Sequence, residues 1–379
     1  MLLAASLVFL LGAGPAAALT ALPVVDARAF LVTDARTGEV LVSEDADRRL
    51  PIASITKLMT AIVTLDHVKP RSFATAPASV SSVGESSIFL RPGERMRVRD
   101  LLEAALVQSA NDAAWTLAAD VGHGSVKRFV RLMNEKAREL GLADTHFVRP
   151  DGLDVRGHYS SARDVLELAR VAMSRPIVRS IVRERTARIA GGRMLHTWND
   201  LLGRFPGVVG VKTGHTDRAS WNEVALVRRH GVALYAVVLG SPTRGERNRS
   251  LSALLRWGLR QYAAVDAVRA GRAYATAELP YTDDDLPLVA ATNVNAAVRV
   301  DRALVEKVVA PAVARLPVRR GDRLGEVQVW DGSRLVGRAP LVAARSVGRP
   351  GFGRKVGWYA GRTLDEAGSL LSGVAGVFG

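Results

Sequence analysis

Residues 53–65 are ASITKLMTAIVTL, in which a serine and a lysine stand three positions apart among helix-forming and apolar residues. This pattern predicts a buried helix that begins at Ser54 and carries Lys57 on the same face, with about 5–6 Å between the β-carbons. A serine hydroxyl is a poor nucleophile until a base takes its proton, and a neutral lysine one turn away is such a base. Burial favours the neutral form, because it lowers the lysine pKa from about 10.4.

The same two residues have a purely structural interpretation. A Ser-x-x-Lys sequence is expected on the order of once by chance in a chain of this length, and here it occurs at Ser54 and Lys57. Ser54 would then cap a helix, with Lys57 in solvent one turn further on. The remaining sequence has to distinguish the two interpretations.

Composition limits the classes of function. The 379 residues suffice for two or three domains, and a hydrophobic fraction of 48% is that of a globular protein. The absence of cysteine excludes disulfides, thiol nucleophiles and cysteine-based metal sites. A net charge of +15 indicates either a solvated basic surface or attraction to an anionic envelope. No standard nucleic-acid motif accompanies the charge, so no nucleic acid is expected as a partner.

Residues 1–20 are typical of an export signal. An apolar run at 2–11 is followed by helix breakers at 12–15 and by three alanines at 16–18. The sequence departs from the usual signal because no lysine or arginine precedes the apolar run. The apolar run, the helix breakers and the alanines nevertheless lead us to expect an extracytoplasmic protein.

The predicted first domain covers residues 21–264 and both begins and ends with strands. Strand-like runs at 29–33 and 39–43 form a hairpin, and runs at 208–216, 223–227 and 232–239 complete a sheet. Helical patterns occupy 98–121, 126–140, 160–173 and 251–262, and the polar segment 72–94 is expected to form a loop and a short strand over the site.

The helical pattern of residues 98–121 is interrupted by Ser109-Ala110-Asn111-Asp112. Polar, turn-favouring residues are unfavourable inside an apolar helix, and such locally unfavourable residues are expected at functional sites. A capped turn between two helices, with Asn111 or Asp112 as the N-cap, is an equally good explanation. A second Ser-x-Asn sequence, at 220–222, lies in a strand-like run.

The sequence pattern changes after residue 264. Residues 265–347 contain short apolar runs separated by turn residues, including the hairpin signal Asp331-Gly332, and predict a small all-β domain. Residues 348–379 form a linker and a tail in which Leu364, Leu371 and Phe378 belong to an amphipathic stripe. Such a helix lies in a membrane interface, although the five glycines at 357, 361, 368, 373 and 376 weaken it.

Three separated motifs become specific in combination. They are Ser54-Ile55-Thr56-Lys57, Ser109-Ala110-Asn111 and Lys212-Thr213-Gly214, in this order, and the set is known from penicillin-binding proteins and class A β-lactamases. The chain resembles the low-molecular-mass D-alanyl-D-alanine carboxypeptidases along nearly all of its length. The resemblance implies an α+β fold: a transpeptidase-like domain with an antiparallel sheet and a helical cluster, a small all-β domain and a C-terminal amphipathic helix.

The resemblance also implies roles for the first two motifs. Ser54 would attack the carbonyl between two terminal D-alanines of a peptidoglycan stem peptide, and Lys57 would take its proton. Ser109 would relay protons to the leaving amine, while Asn111 would orient the substrate amide and Lys57. A β-lactam would acylate the same serine, and no cofactor or metal ion is implied.

For substrate binding, the resemblance implies the third motif and a later arginine. Lys212 would keep Lys57 neutral by its positive potential, and Thr213, Gly214 and His215 would line the cleft. The backbone N–H groups of Ser54 and His215 would form the oxyanion hole. Lys212, Thr213 and Arg247, which lies seven residues before Leu254, would hold the terminal carboxylate, although Arg244 and Arg249 remain alternatives to Arg247. The chain departs from the family at Ala110, commonly glycine, and in residues 217–221, where Trp221 bears on substrate preference.

Two other functions fit parts of the pattern. A class A β-lactamase would need a Glu-x-x-Leu-Asn loop, and no such sequence lies between Asn111 and Lys212. A catalytically inactive homologue would bind peptidoglycan without cleaving it, yet all three motifs are intact. A zinc peptidase is disfavoured because the chain has no His-Glu-x-x-His. The expected location is the outer face of the bacterial cytoplasmic membrane.

Overall fold

The computed structural model describes residues 4–11, 21–353, 355, 356 and 358, and of residues 4–11 it describes only the backbone. Contacts divide the chain into two compact units, residues 20–261 and the remainder. The first strand, β1 (Ala4–Leu11), belongs to the second unit. An export signal at residues 1–20 stays a prediction.

The unit of residues 20–261 combines an antiparallel sheet with helices, as expected. Its elements are, in chain order, β2 (Ala29–Asp34), β3 (Val40–Glu44), α1 (Lys57–His67), β4 (Phe73–Thr75), β5 (Arg95–Arg97), α2 (Val98–Glu103), α3 (Asn111–Val121), α4 (Val126–Glu139), α5 (Ala162–Ser174), α6 (Pro176–Ile181), β6 (Thr186–Arg188), β7 (Met194–His196), β8 (Val208–Thr216), β9 (Ser220–Arg229), β10 (Val232–Ser241) and α7 (Arg244–Arg260).

The main sheet has the strand order β3-β2-β10-β9-β8 with antiparallel pairing throughout. Every residue of β10 is buried, because the strand is central and is covered on both faces. Tyr235 and Val237 pack into the core that the sheet shares with α1–α6. On the opposite face, Leu234 contacts α7 so closely that a β-carbon on Gly258 would lie 2.8 Å from its Cδ1. The sheet is therefore packed between the core of helices α1–α6 on one face and α7 on the other.

Helix α1 lies at the centre of the helical cluster. A 3₁₀ turn, Ala53–Thr56, leads into it, and all eight residues from Lys57 to Thr64 are buried. A helix that is buried all round belongs inside a core. The predicted helix after Ser54 is thus present, with its first residues in the tighter 3₁₀ form.

The interruption in the pattern of residues 98–121 is a change of helix type and a turn. Helix α2 continues into a π-helical turn, Ala104–Gln108, and Ser109 adopts a left-handed conformation with φ 67°. The N-cap of α3 is Ala110, without a side-chain hydrogen bond, so the expectation that Asn111 or Asp112 caps it is wrong. The Asp112 carboxylate instead accepts hydrogen bonds from Ser87 Oγ (2.6 Å) and from the backbone N–H groups of Ile88 and Leu90.

Helix α7 and the segment after α5 differ from the sequence-based expectation. Helix α7 begins at Arg244, seven residues before the predicted start, because its first two turns are polar and show no apolar period. Thr243 caps it by accepting a hydrogen bond from the Glu246 N–H. Residues 176–196, for which the sequence pattern predicted no element, contain α6 and the hairpin of β6 and β7.

The second unit is a β structure with its own core. Its remaining strands are β11 (Tyr262–Val268), β12 (Ala273–Glu278), β13 (Asp285–Ala290), β14 (Val294–Arg299), β15 (Leu304–Pro311), β16 (Arg323–Asp331) and β17 (Arg334–Ala343). They form a sheet ordered β1-β15-β16-β17-β13-β12 and a two-stranded sheet of β11 and β14. The turn between β16 and β17 contains Gly332 with φ 59°, at the predicted hairpin.

The predicted amphipathic helix of residues 357–379 lies outside the described residues, apart from Trp358. Within the part of the chain that the structure describes, no helix is long and apolar enough to cross a membrane.

Candidate active site

Lys57 and Ser54 form the centre of the site. The Lys57 Nζ is completely buried and donates hydrogen bonds to Ser54 Oγ (2.8 Å), Asn111 Oδ1 (2.7 Å) and the backbone oxygen of Asp151 (2.8 Å). The N-cap of the 3₁₀ turn is Ile52, not Ser54, and no side chain caps it. The interpretation of Ser54 as a helix cap beside a solvated lysine is therefore wrong.

Burial changes the protonation of Lys57. Desolvation lowers its pKa to about 8, although the negative charge of Asp151 acts in the opposite direction. With this pKa, about a tenth of the Lys57 amines are neutral at pH 7. The largest cause is burial, whereas the resemblance assigned the effect to the charge of Lys212. A base is thus present beside the Ser54 hydroxyl without a metal ion or a histidine.

A second lysine and a second serine face the first pair. Lys212, on β8, donates from Nζ to Ser109 Oγ (2.9 Å) and to the Thr213 backbone oxygen (3.0 Å). Burial, and then the charge of Lys57, hold the pKa of Lys212 well below its usual range. The three sequence motifs, separated by 55 and 103 residues, therefore meet in one place.

Asn111 joins this centre to the loop that covers it. Its Nδ2 donates to the Gly84 backbone oxygen (2.9 Å), and its backbone N–H donates to the Ser86 oxygen (2.7 Å). These bonds leave Oδ1 directed at Lys57. Because Asp112 holds the following residues of the same loop, the interruption between α2 and α3 positions both the asparagine and the loop. The predicted loop over the site is present.

Gly214 brings strand β8 against the turn that carries Ser54. A β-carbon on Gly214 would lie 3.2 Å from the Ser54 backbone nitrogen and closer still to the Ile52 oxygen. On the other side of the turn, a β-carbon on Gly152 would lie 2.1 Å from the Ala53 oxygen. Both glycines are needed, because a side chain at either position would push the Ser54 turn away.

Around these residues lies a cavity of about 370 Å³. Two tryptophans contribute to its wall: Trp221 stacks on His215 at 3.9 Å between ring centroids, and Trp198 donates from Nε1 to the Gln108 oxygen. The sequence analysis did not select Trp198, Glu85 or Ser86 as site residues. The cavity is lined by Ser54, Glu85, Ser86, Ser109, Asn111, Trp198, Thr213, Gly214, His215, Trp221 and Arg247.

Of the three candidate arginines, only Arg247 lines this cavity. It is 1% exposed, whereas the side chain of Arg249 is 71% exposed. Arg244 forms a two-point contact with Asp200, with Nε and Nη2 at 2.7 and 2.6 Å from the carboxylate oxygens. Arg247 is therefore the best placed of the three to meet a bound anion.

Among the residues that the structure describes, no group of three or more histidine, aspartate and glutamate side chains is arranged to hold a metal ion. The chemistry that the arrangement supports is acyl transfer: a hydroxyl with an adjacent amine base, a second serine beside a second amine, and a buried arginine on one wall.

Comparisons with known proteins agree with this geometry. Residues 16–243 match the family described as peptidase S11, D-alanyl-D-alanine carboxypeptidase. The carboxypeptidase DacD of Salmonella typhimurium is 30% identical over 362 residues, covering 89% of this chain and 90% of that protein. DacA of Escherichia coli is 34% identical over 275 residues, covering 69% and 68%.

A solved structure shows the same fold. Penicillin-binding protein 5 from Haemophilus influenzae has a TM-score of 0.63 at 26% identity, with 87% of this chain and 100% of that chain covered. The resemblance drawn from the three motifs is confirmed. The chain belongs to the D-alanyl-D-alanine carboxypeptidases of the peptidase S11 family, which are serine-type hydrolases.

Proposed function

We propose that this carboxypeptidase removes the terminal D-alanine from peptidoglycan stem peptides through an acyl-enzyme on Ser54. The observation that carries the proposal is the contact of 2.8 Å between the buried Lys57 amine and Ser54 Oγ, at a cavity that Asn111 and Ser109 also line. A nucleophile within hydrogen-bond reach of an oriented base is the arrangement that covalent catalysis requires.

In the acylation step, Ser54 Oγ forms a bond to the carbonyl carbon between the two terminal D-alanines. Lys57 takes the hydroxyl proton as the bond forms. The carbonyl oxygen becomes an oxyanion, and the backbone N–H groups of Ser54 and His215 stabilise it. The packing of Gly214 against the Ser54 turn supports this role, because it brings the backbone of β8 next to the Ser54 nitrogen.

The intermediate then collapses. The carbon–nitrogen bond breaks, the leaving amine takes a proton through Ser109, and free D-alanine departs. Water attacks the resulting ester, so that the shortened peptide leaves with a carboxylate and Ser54 regains its proton. The contact of Lys212 with Ser109 at 2.9 Å supports the relay, since it joins that hydroxyl to a second amine.

The substrate carboxylate would bind to Arg247 and Thr213, in the positive potential of Lys212. Arg247 Nη1 has no hydrogen-bond acceptor within the described part of the chain. Since a guanidinium is suited to carboxylates, this nitrogen is the group available to the ligand. A β-lactam carries a carboxylate beside a reactive carbonyl, so it would occupy the same cavity and acylate Ser54.

We also propose the arrangement of the whole chain. Residues 1–20 direct export, residues 21–264 form the peptidase domain, residues 265–347 a β domain, and residues 348–379 a linker and a membrane-anchoring helix. The apolar stripe of the tail supports an anchor, and the net charge of +15 suits an anionic surface. The enzyme would then act at the outer face of the cytoplasmic membrane.

Labelling with a fluorescent penicillin, followed by measurement of D-alanine release from a pentapeptide, tests the function. Stable labelling together with release of D-alanine is the expected result. Labelling without release would overturn the proposal in favour of a binding protein, and rapid hydrolysis of the penicillin would overturn it in favour of a β-lactamase.

A further inference from the structure

Glu223 is a buried carboxyl group that the reaction described above does not use. It stands directly opposite Thr213 in the ladder between β9 and β8, and it is 0% exposed. Its Oε2 lies 3.1 Å from Arg247 Nε, yet neither of its oxygens accepts a hydrogen bond. Its contact with the guanidinium is therefore one of charge alone.

The other partners of Arg247 occupy two of its three nitrogens. Nε and Nη2 donate to Asn248 Oδ1, and Nη2 also donates to Asp200 Oδ2 at 2.9 Å. Nη1, as noted, has no acceptor among the described residues. The proposed carboxylate of the substrate and the carboxylate of Glu223 would thus share one guanidinium.

The two acids beside Arg247 differ in the hydrogen bonds that their carboxylates accept, and therefore in their pKa values. Burial disfavours the charge of Asp200, but hydrogen bonds from Arg244 and Asn248 and the charges of Arg244 and Arg247 lower its pKa to about 2. Glu223 has no such bonds, so desolvation raises its pKa to about 7 against the charge of Arg247.

The charged groups that face Glu223 come from three elements. Arg247 and Arg244 lie on α7, Lys212 lies on β8, and Asp200 lies in the loop after β7. The three cations favour its ionised form and Asp200 opposes it. A second anion at Arg247 Nη1 would add to this opposition, because like charges in a buried site cannot both remain ionised at low cost.

We propose that Glu223 is a positioning residue, a second counter-ion of Arg247 beside Asp200 in the empty site, and that it takes up a proton when the terminal carboxylate of the substrate binds to the same guanidinium. The inference rests on the carboxylate-binding role proposed for Arg247. Glu223 loses its charge and the ligand supplies one in its place, so the number of anions beside the guanidinium, with Asp200 included, stays the same.

The direction of the pH effect follows. Below about pH 7 Glu223 is already protonated in the empty site, and the carboxylate binds without a proton change. Above that pH the proton has to be taken from solvent, so affinity falls as pH rises, by at most tenfold per pH unit for one proton. It becomes constant again above the pKa that Glu223 has in the complex.

Binding can be measured in the Ser54→Ala protein, which cannot turn the peptide over. The two ligands are an N-acetylated peptide ending in D-Ala-D-Ala with a free carboxylate and the same peptide with a C-terminal amide. Calorimetry at pH 7.5 in two buffers of different ionisation heat gives the number of protons taken up. Because Glu223, with a pKa of about 7, is about three quarters ionised at pH 7.5, we expect uptake of up to about three quarters of a proton with the acid peptide and none with the amide.

A second substitution separates Glu223 from Lys212, which would also gain a proton beside an anion. In Ser54→Ala/Glu223→Gln the proton uptake and the fall in affinity between pH 7 and 8 should both disappear. The matched control is Ser54→Ala/Asp200→Asn, which alters another acid on the same guanidinium; it should keep the proton uptake, with the pH dependence moved to lower pH because Asp200 no longer opposes the charge of Glu223. Persistence of the uptake in the Glu223→Gln protein would overturn the proposal and assign the proton to Lys212.

If the Glu223→Gln protein does not fold, infrared difference spectra of the Ser54→Ala protein decide. Binding of the acid peptide should produce the carbonyl stretch of a protonated carboxyl group, and its absence would overturn the proposal. Failure of the carboxylate role itself has a different signature: the acid and amide peptides would bind equally at every pH. If the proposed reaction is wrong, the wild-type protein, which keeps Ser54, would not be labelled by penicillin.

Discussion

A β-carbon built on Gly214 would lie 2.5 Å from the carbonyl oxygen of Ile52. The last residue of the Lys-Thr-Gly motif and the residue two positions before the nucleophile therefore touch through their backbones. Strand β8 and the 3₁₀ turn can pack this closely only because position 214 has no side chain.

Gly214→Ala should separate the strand from the turn. Because real β-carbons essentially never approach a backbone oxygen so closely, the backbone has to shift, and a displacement of about 1 Å can reduce the rate of an oriented reaction about 100-fold. The rate of acylation by penicillin measures the effect. Gly348→Ala is the control, since a β-carbon there meets nothing within 4 Å; equal rates in the two variants would contradict the argument.

Ser54→Ala should abolish covalent labelling by penicillin, because the variant has no hydroxyl to form the ester. Mass spectrometry of the intact protein detects the adduct, and peptide mapping of the wild-type adduct identifies the modified residue. The melting temperature should change little, since Ser54 Oγ takes part in one hydrogen bond within the described part of the chain, with Lys57. An adduct that persists in the variant would reassign the nucleophile.

The acylation rate should follow the protonation of Lys57. Its pKa is lowered to about 8 by burial, and the base has to be neutral, so kcat/KM for acylation should rise about tenfold per pH unit below pH 8 and level off above it. Lys57→Arg should lower the plateau by about 10²–10⁴-fold, because a guanidinium does not lose its proton in proteins. A flat profile from pH 6 to 9 in the wild-type protein would exclude Lys57 as the base.

Asp112→Ala should loosen the loop above the cavity. Asp112 is 1% exposed and accepts hydrogen bonds from Ser87, Ile88 and Leu90, and buried donors left without an acceptor cost about 1–3 kcal/mol each. We expect a loss of at least about 2 kcal/mol in urea unfolding and slower acylation. Asp47→Ala removes an exposed ion pair with Arg163 and should leave both measurements unchanged.

Deletion of residues 357–379 should release the protein from membranes while it keeps its activity on soluble peptides. The apolar stripe of the tail is the proposed anchor, and it is separate in sequence from every residue placed at the cavity. Sedimentation with vesicles that contain anionic lipid, compared with the full chain, measures the change. A truncated protein that still sediments would show that the anchor lies elsewhere.

Local pattern was enough to predict much of the peptidase unit. The period-two and apolar runs correspond to β2, β8 and β10, and the Ser-x-x-Lys helix has the expected buried face. The interruption at residues 109–112 was visible in the sequence, but the local pattern left a functional site and a capped turn as equally good explanations. The contacts of Asp112 with a loop more than 20 residues earlier in the chain could not be predicted from the local pattern.

Long-range contacts account for the elements that were not predicted. The first two turns of α7 are polar because Arg244 and Arg247 face Asp200 and Glu223 from distant parts of the chain. In the sequence, Glu223 is an ordinary residue of a predicted strand. Its position opposite Thr213 follows only from the register of β9 against β8. Trp198 enters the cavity from an irregular segment that carries no periodic signal.

The three acceptors around Lys57 differ in one respect. Asn111 Oδ1 and the Asp151 carbonyl oxygen can only receive hydrogen bonds, whereas the Ser54 hydroxyl can also give one. A neutral amine keeps two hydrogens and gains a lone pair; if the hydrogens stay with Asn111 and Asp151, the lone pair faces Ser54. The hydroxyl then reverses from acceptor to donor, so the two flanking oxygens set the direction in which the proton moves.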